Sequence, residues 1–175
     1  RPLVNDTVII KTWSRSIDKF YAFRDFEVRD QYDDIVAIAT SKWIFIDIDK
    51  SKIVKVTDDV IESYKQENKQ VFEEYDLPKI KKPENFEWEA DFKITRNLID
   101  INKHVHNIHY LDIAKECMPE NICFGNELNE FEITYKKEIK LGETVKCKYI
   151  FENEKHIIVI KSQDEKTIHA IIEMN

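Results

Sequence analysis

Over residues 86–95 apolar and polar side chains alternate at every step: Phe86, Trp88, Ala90, Phe92 and Ile94 against Glu87, Glu89, Asp91, Lys93 and Thr95. A period of two is the pattern of a half-buried β-strand, one face on a core and the other in water. The next residues narrow the fold further. A dense polar stretch, residues 100–110, leads into an apolar segment expected to be helical over about 105–117, which Pro119 helps to end. Four more strands are expected at 131–140, 145–152, 156–161 and 167–173. The order is strand, helix, then an antiparallel meander. One long helix against one strongly curved sheet buries these faces most economically, an α+β arrangement.

The first third is also strand-rich. Val8, Ile9 and Ile10 lead into Trp13, and residues 20–28 and 35–48 are rich in aromatic and β-branched side chains. With two glycines in the chain, the hairpins must turn on Asp and Asn, at 30–34 and 47–52. Thr57-Asp58-Asp59, with Asp59 and Glu62 at capping-box spacing, opens a helix expected over 58–74. Its apolar side carries Ile61, Tyr64, Val71 and Phe72; Pro78 and Pro83, among Lys79, Lys81 and Lys82, then read as a linker. The expected organisation is a strand-rich unit at 1–57, a helix and linker at 58–85, and a second unit at 86–175. A short echo hints at duplication: Asn5-Asp6-Thr7-Val8 is similar to Gly142-Glu143-Thr144-Val145, each opening a strand.

Composition excludes several classes. The chain has 175 residues, 42% of them hydrophobic, enough for a real core. Its charged residues, 35% of the total, are scattered among apolar ones, which argues against disorder. A net charge of −7 argues against a general nucleic-acid binder. No apolar run approaches the roughly 20 residues of a membrane span, so no membrane partner is expected. Cys117, Cys123 and Cys147 are odd in number and lack a CxxC pairing, so they read as reduced thiols of a cytoplasmic protein. The start at Arg1-Pro2, without methionine, reads as a fragment or a processed chain.

Three chemistries compete for residues 100–110. Asp100 or Asn102 can cap a turn or helix, with the histidines on its surface. His104, His106 and His109 can be drawn as metal ligands, although neither HExxH nor CxxC accompanies them. The third reading is hydrolysis without a metal, and therefore with no cofactor. A helix N-terminus offers unpaired N–H groups to an oxyanion, Asn102 orients a substrate or water, and His104 acts as general base or acid. A carboxylate such as Asp100 can hold the imidazole in one tautomer.

The motif Asp100-x-Asn102-x-His104-Val105-x-Asn107-x-x-Tyr110 resembles that of the acyl–acyl-carrier-protein thioesterases of plant plastids and anaerobic bacteria. Thr12-Trp13, Arg24-Asp25-Phe26 and Ser41-Lys42-Trp43 are similar to signatures of that family's first domain, and Ile133-Thr134-Tyr135-Lys136-Lys137-Glu138 to a later strand motif. The resemblance implies a tandem hot-dog fold, each unit wrapping a curved antiparallel sheet around a central helix. Here the first unit would be incomplete at its N-terminal side. It implies hydrolysis of fatty acyl thioesters on acyl carrier protein, ending fatty acid synthesis. It also assigns catalytic roles to Asp100, Asn102, His104 and Glu138. Plant members carry a Cys after that Glu, whereas Ile139 stands here, so water attack is expected instead of a cysteine nucleophile. His106 and His109 are expected to be bystanders. Acyl carrier protein, generally acidic, is the expected partner, met by Lys136, Lys137, Lys140, Lys146 and Lys148 or by Lys79, Lys81 and Lys82. Pairing of hot-dog units through their sheets leaves a homodimer open. The alternatives are a coenzyme A thioesterase, another hot-dog enzyme such as a dehydratase, and a non-catalytic acyl-binding module.

Overall fold

The computed structural model describes residues 2–47, 49–50, 52–73, 77, 79–125 and 128–175, in two units, Arg1–Leu77 and Pro78–Asn175. Ile48, Ser51, Glu74 and Pro78, expected from the sequence in a strand, a turn, a helix end and a linker, lie outside the described residues.

The first unit is built on an antiparallel meander of β1 (Ile9–Ile17), β2 (Tyr21–Arg29) and β3 (Ile35–Ile44), paired in chain order. Its β2–β3 turn is made by Asp, as expected: the Asp30 carboxylate accepts the N–H groups of Tyr32 and Asp34, and Asp33 takes φ 68°. A short hairpin comes next, β4 (Ile46–Asp47) with β5 (Lys52–Ile53), where the sequence suggested one long strand. The helix expected over 58–74 is cut to α1 (Asp58–Ser63), with Thr57 and not Asp59 at the N-cap position and no side-chain bond capping it.

Side chains of the sheet explain the shortened helix. Beyond Lys65, at φ 43°, the chain runs along β1 and exchanges several hydrogen bonds with the sheet. Glu67 N–H donates to the Ser14 carbonyl, the Trp13 indole to the Lys69 carbonyl, and Val71 N–H to the Asp25 carboxylate. Asp25, fully buried, also accepts the Thr40 hydroxyl and faces Arg15 at 3.8 Å. Leaving that buried carboxylate short of donors would cost more than a few turns of helix supply.

In the second unit, β6 (Trp88–Lys93) carries most of the alternating stretch. After a single 3-10 turn at Arg96–Leu98 and the polar loop come α2 (His109–Cys117) and α3 (Glu120–Gly125), the latter unexpected from the sequence. Four strands complete it: β7 (Phe131–Tyr135), β8 (Thr144–Glu152), β9 (Lys155–Ser162) and β10 (Ile168–Met174). All pairings are antiparallel, but the order is β6-β8-β9-β10-β7, so the simple meander needs correction. Only β8 to β10 form one. Strand β7 lies beyond β10, at the opposite edge from β6, and the helices carry the chain between those edges.

The core is set by this order. Tyr110, Ile113, Ala114 and Cys117 of α2 pack with Val145, Cys147, Ile158, Ile160 and Ile172 of the sheet. On the other face Ile157, Val159 and Ile171 are covered by Ile80 and Phe86. Strand β9 is therefore buried on both faces, as its unbroken run Ile157-Ile158-Val159-Ile160 requires.

The echo between the units is structural as well. Leu3-Val4-Asn5-Asp6 and Lys140-Leu141-Gly142-Glu143 form the same turn, with φ 78° at Asn5 and 84° at Gly142. In each, the fourth residue's N–H donates to the first residue's carbonyl, at 3.1 and 3.3 Å. In each, the first residue's N–H donates back to the fourth residue's carboxylate, at 2.7 and 2.8 Å. Both turns lead into a three-stranded antiparallel meander.

Candidate active site

The polar stretch forms a loop before the helix, not the first turn of it. Helix α2 begins at His109, so Asn102 and His104 are not at its N-terminus, and the expected start near residue 105 is corrected. The loop closes on itself through Asp100 N–H to the His104 carbonyl (2.9 Å) and Lys103 N–H to the Asp100 carbonyl (3.1 Å), with Lys103 at φ 65°. The Asp100 carboxylate accepts the N–H of Asn102 at 2.8 Å, the Asn102 side-chain amide at 3.3 Å and the N–H of His104 at 3.3 Å. These bonds keep the segment from continuing as helix, because Asp side chains offer the backbone a competing partner. Asp100 thus holds His104 through its backbone amide. Partial burial acts to raise this carboxyl, but the donors from His104 and Asn102 outweigh it, and the group lies below the usual carboxylate range.

The loop is stitched to the segment after β7. His104 and Lys140 form an antiparallel bridge, and Val105 N–H donates to the Ile139 carbonyl at 2.9 Å. On its other side Val105 is bridged to Ile99. Val105 and Ile139 point into the core and are buried, so alternation turns His104, Glu138 and Lys140 to the opposite, open face. His104 is half-buried there, while Asn102, Glu138 and Lys140 are exposed. A second tie is the Tyr135 hydroxyl, which donates to the Asn107 carbonyl at 3.0 Å and whose ring meets Tyr110 edge to face at 5.1 Å. Burial pushes the Tyr110 hydroxyl up to about 12, and the charges of Glu138 and Glu143 act in the same direction.

Glu138 lies beyond β7, which ends at Tyr135, and not inside the strand expected over 131–140. His106 Nδ1 accepts the Ile108 N–H at 3.4 Å, and His109 Nδ1 faces the Asp112 carboxylate at 2.8 Å. Among the described residues no group of three or more His, Cys, Asp or Glu side chains is arranged to hold a metal ion. No helix of the described residues is long and apolar enough to cross a membrane.

The first lysine group divides. Lys146 pairs with Glu89 and Asp91, and Lys148 with Glu89 and Glu165. Lys136, Lys137 and Lys140 stay exposed beside the loop. Sequence reasoning missed the tie from Tyr135 and the bridge from Lys140. Both are pairings between distant segments, and nothing local in either segment marks its partner.

Comparison with known proteins gives a consistent result. Residues 1–64 match the family described as acyl-ACP thioesterase N-terminal domain, and residues 80–174 match the acyl-ACP thioesterase C-terminal domain. The chain is 30% identical over 154 residues to the chloroplastic oleoyl-acyl carrier protein thioesterase 1 of Arabidopsis thaliana, covering 82% of this chain and 42% of that protein. It is 27% identical over 143 residues to the palmitoyl-acyl carrier protein thioesterase of Cuphea hookeriana, covering 78% and 34%. The chain therefore spans less than half the length of these curated relatives. Among solved structures, the putative oleoyl thioesterase from Lactobacillus plantarum superposes with a TM-score of 0.79 at 24% identity, over 97% of this chain and 69% of that one. The 12:0-ACP thioesterase from Umbellularia californica gives 0.81 at 17%, over 99% and 69%.

Proposed function

The chain belongs to the acyl-ACP thioesterase family, and on that premise we propose that it hydrolyses fatty acyl thioesters of acyl carrier protein, releasing free fatty acid and the carrier thiol. Its fold is the α+β hot-dog arrangement expected from the sequence, with the second unit's sheet wrapped on α2. The observation that supports the reading is the stitching of the loop at 100–107 to the segment after β7, through the His104–Lys140 bridge and the Val105–Ile139 bond.

In the proposed reaction His104 and Glu138 share the work of taking a proton from water and aiming it at the thioester carbonyl. The new C–O bond forms first, and as the resulting tetrahedral intermediate collapses the C–S bond breaks; the proton held by the base passes to the departing thiolate, leaving the free acid, the carrier thiol and the base as it began. Asn102, at the exposed tip of the loop, orients the carbonyl or the water. Asp100 acts one step back: it holds the loop that presents both, through the N–H groups of Asn102 and His104. A nucleophilic cysteine has no place after Glu138, where Ile139 is fully buried. The cytoplasmic location suggested by the cysteines and the open homodimer belong to this proposal too; the plant relatives are named chloroplastic.

The test is turnover on a panel of acyl carrier protein and coenzyme A thioesters, with Asn102→Ala, His104→Ala and Glu138→Ala beside the unaltered chain. The expected result is free acid from the carrier-linked substrates and a loss of at least roughly 100-fold for His104→Ala. Unaltered turnover in all three variants would sink the site. Preference for coenzyme A substrates, or binding without turnover, would point to the alternatives.

A further inference from the structure

Among the described residues Glu138 has no strand pairing, so something must set its position. Behind it, Ile139 and Lys140 are fixed by Val105 and His104. Ahead of it, beyond the Tyr135–Ala170 pair that ends β7, the segment is attached to His169 of β10. Lys136 and Lys137 donate their N–H groups to the His169 carbonyl, at 2.8 and 3.3 Å. The His169 ring returns the bond, with Nδ1 at 3.1 Å from the Lys137 carbonyl. A carbonyl oxygen can only accept, so Nδ1 carries the hydrogen.

The backbone around His169 is built for this. Along β10, Ile168 pairs with Lys161 and Ala170 with Ile160, so two steps on one strand oppose one on the other. His169 is the extra residue of a β-bulge, a device that re-aims a side chain out of the regular alternation. His169 is buried, 4% exposed. A buried imidazole that bonds to the carbonyl next to a candidate catalytic carboxylate is poorly explained as filler.

We propose that His169 is a positioning residue: from its bulge it clamps the Lys136-Lys137 backbone and so sets where Glu138 stands relative to His104. This rests on the role given to Glu138 above. Without the ring's bond the segment keeps its hold at Ile139 and the two backbone bonds to the residue-169 carbonyl, but the Lys137 carbonyl, next to Glu138, loses its tether and the approach to Glu138 loosens. Displacements of about 1 Å at a reacting group can cost on the order of 100-fold in rate.

The test uses the full chain with His169→Leu, His169→Asn and His169→Gln. Hydrogen exchange of the peptide spanning residues 136–140 is read alongside kcat and KM on the carrier-linked panel. An Asn side chain can present an N–H where Nδ1 stands, whereas Gln reaches past it. The expected result is faster exchange and a kcat lower by about 10-fold or more in the Leu and Gln variants. KM should stay within about two- to threefold, and Asn should restore both readings. Gln carries the test if the Leu variant does not fold. Exchange unchanged in the Leu and Gln variants overturns the proposal, as does faster exchange with unaltered kcat. Failure of the underlying reading shows separately, as unaltered turnover in Glu138→Ala.

Discussion

Tyr110 closes the inner side of the candidate site. Its ring is buried on the first turn of α2, edge to face with Tyr135, and its hydroxyl is pushed up to about 12 by burial, with Glu138 and Glu143 acting the same way. An unfolded tyrosine titrates near 10. The folded chain therefore holds its proton longer, so this stability is complete below pH 10 and is lost as pH rises from 10 toward 12. The loss attributable to Tyr110 should be on the order of 2 kcal/mol. Chemical denaturation across that range should show a steeper decline for the unaltered chain than for Tyr110→Phe; parallel curves would mean the hydroxyl is not desolvated as described. At the same scale, Asp100 illustrates what one side chain can do to a prediction. Its carboxylate takes the N–H groups of Asn102 and His104 and folds the loop, while Val105 and His106 donate to the Ile139 and Leu98 carbonyls, and the helix starts later.

At the scale of elements, the paired turns before β1 and β8 are the most informative. Both need a residue in the left-handed region; the first uses Asn5 and the second Gly142. A Cβ placed on Gly142 would meet nothing within 4 Å, so any penalty there comes from backbone conformation alone. Gly142→Ala should cost about 1 kcal/mol, and Gly142→Asn, the solution used by the first unit, should cost less. Thermal unfolding of the two variants separates them, and equal losses would contradict the reading. The turn matters to the site because Lys140, its first residue, is also the bridge partner of His104. Helix α1 makes the converse point. Its sequence supports more helix than forms, because Trp13 and Asp25 on the sheet claim the backbone beyond it.

For the whole molecule the question is how a chain of net charge −7 would receive an acidic carrier protein. Local charge must work against the overall field. Lys146 and Lys148 are committed to carboxylates, and Lys79, Lys81 and Lys82 line a groove of about 550 Å³ shared with Glu84, Glu132, Glu152 and Glu173. Lys136, Lys137 and Lys140 remain exposed beside His104. Reversing these three to Glu should raise KM for carrier-linked substrate by about tenfold or more, an effect that salt reduces, while reversal of Lys79, Lys81 and Lys82 should change it little. Steady-state kinetics at two ionic strengths checks this; equal effects of the two triple variants would remove the preference for the first group. The sequence alone was enough for a strand within 86–95, for β9 as a strand, for the Asp-built turn at 30–34, for the echo ahead of β1 and β8, and for the polar motif itself. These are local patterns of period, charge and turn chemistry, and each is written in a few consecutive residues. Tertiary structure alone decided that β7 pairs with β10, that the motif is a loop ahead of α2, that Val105 meets Ile139, and that His169 grips Lys137. Alternation states which face a side chain takes but not which strand lies beside it. Partner choice is settled by closing the sheet around α2 and satisfying every buried donor at once.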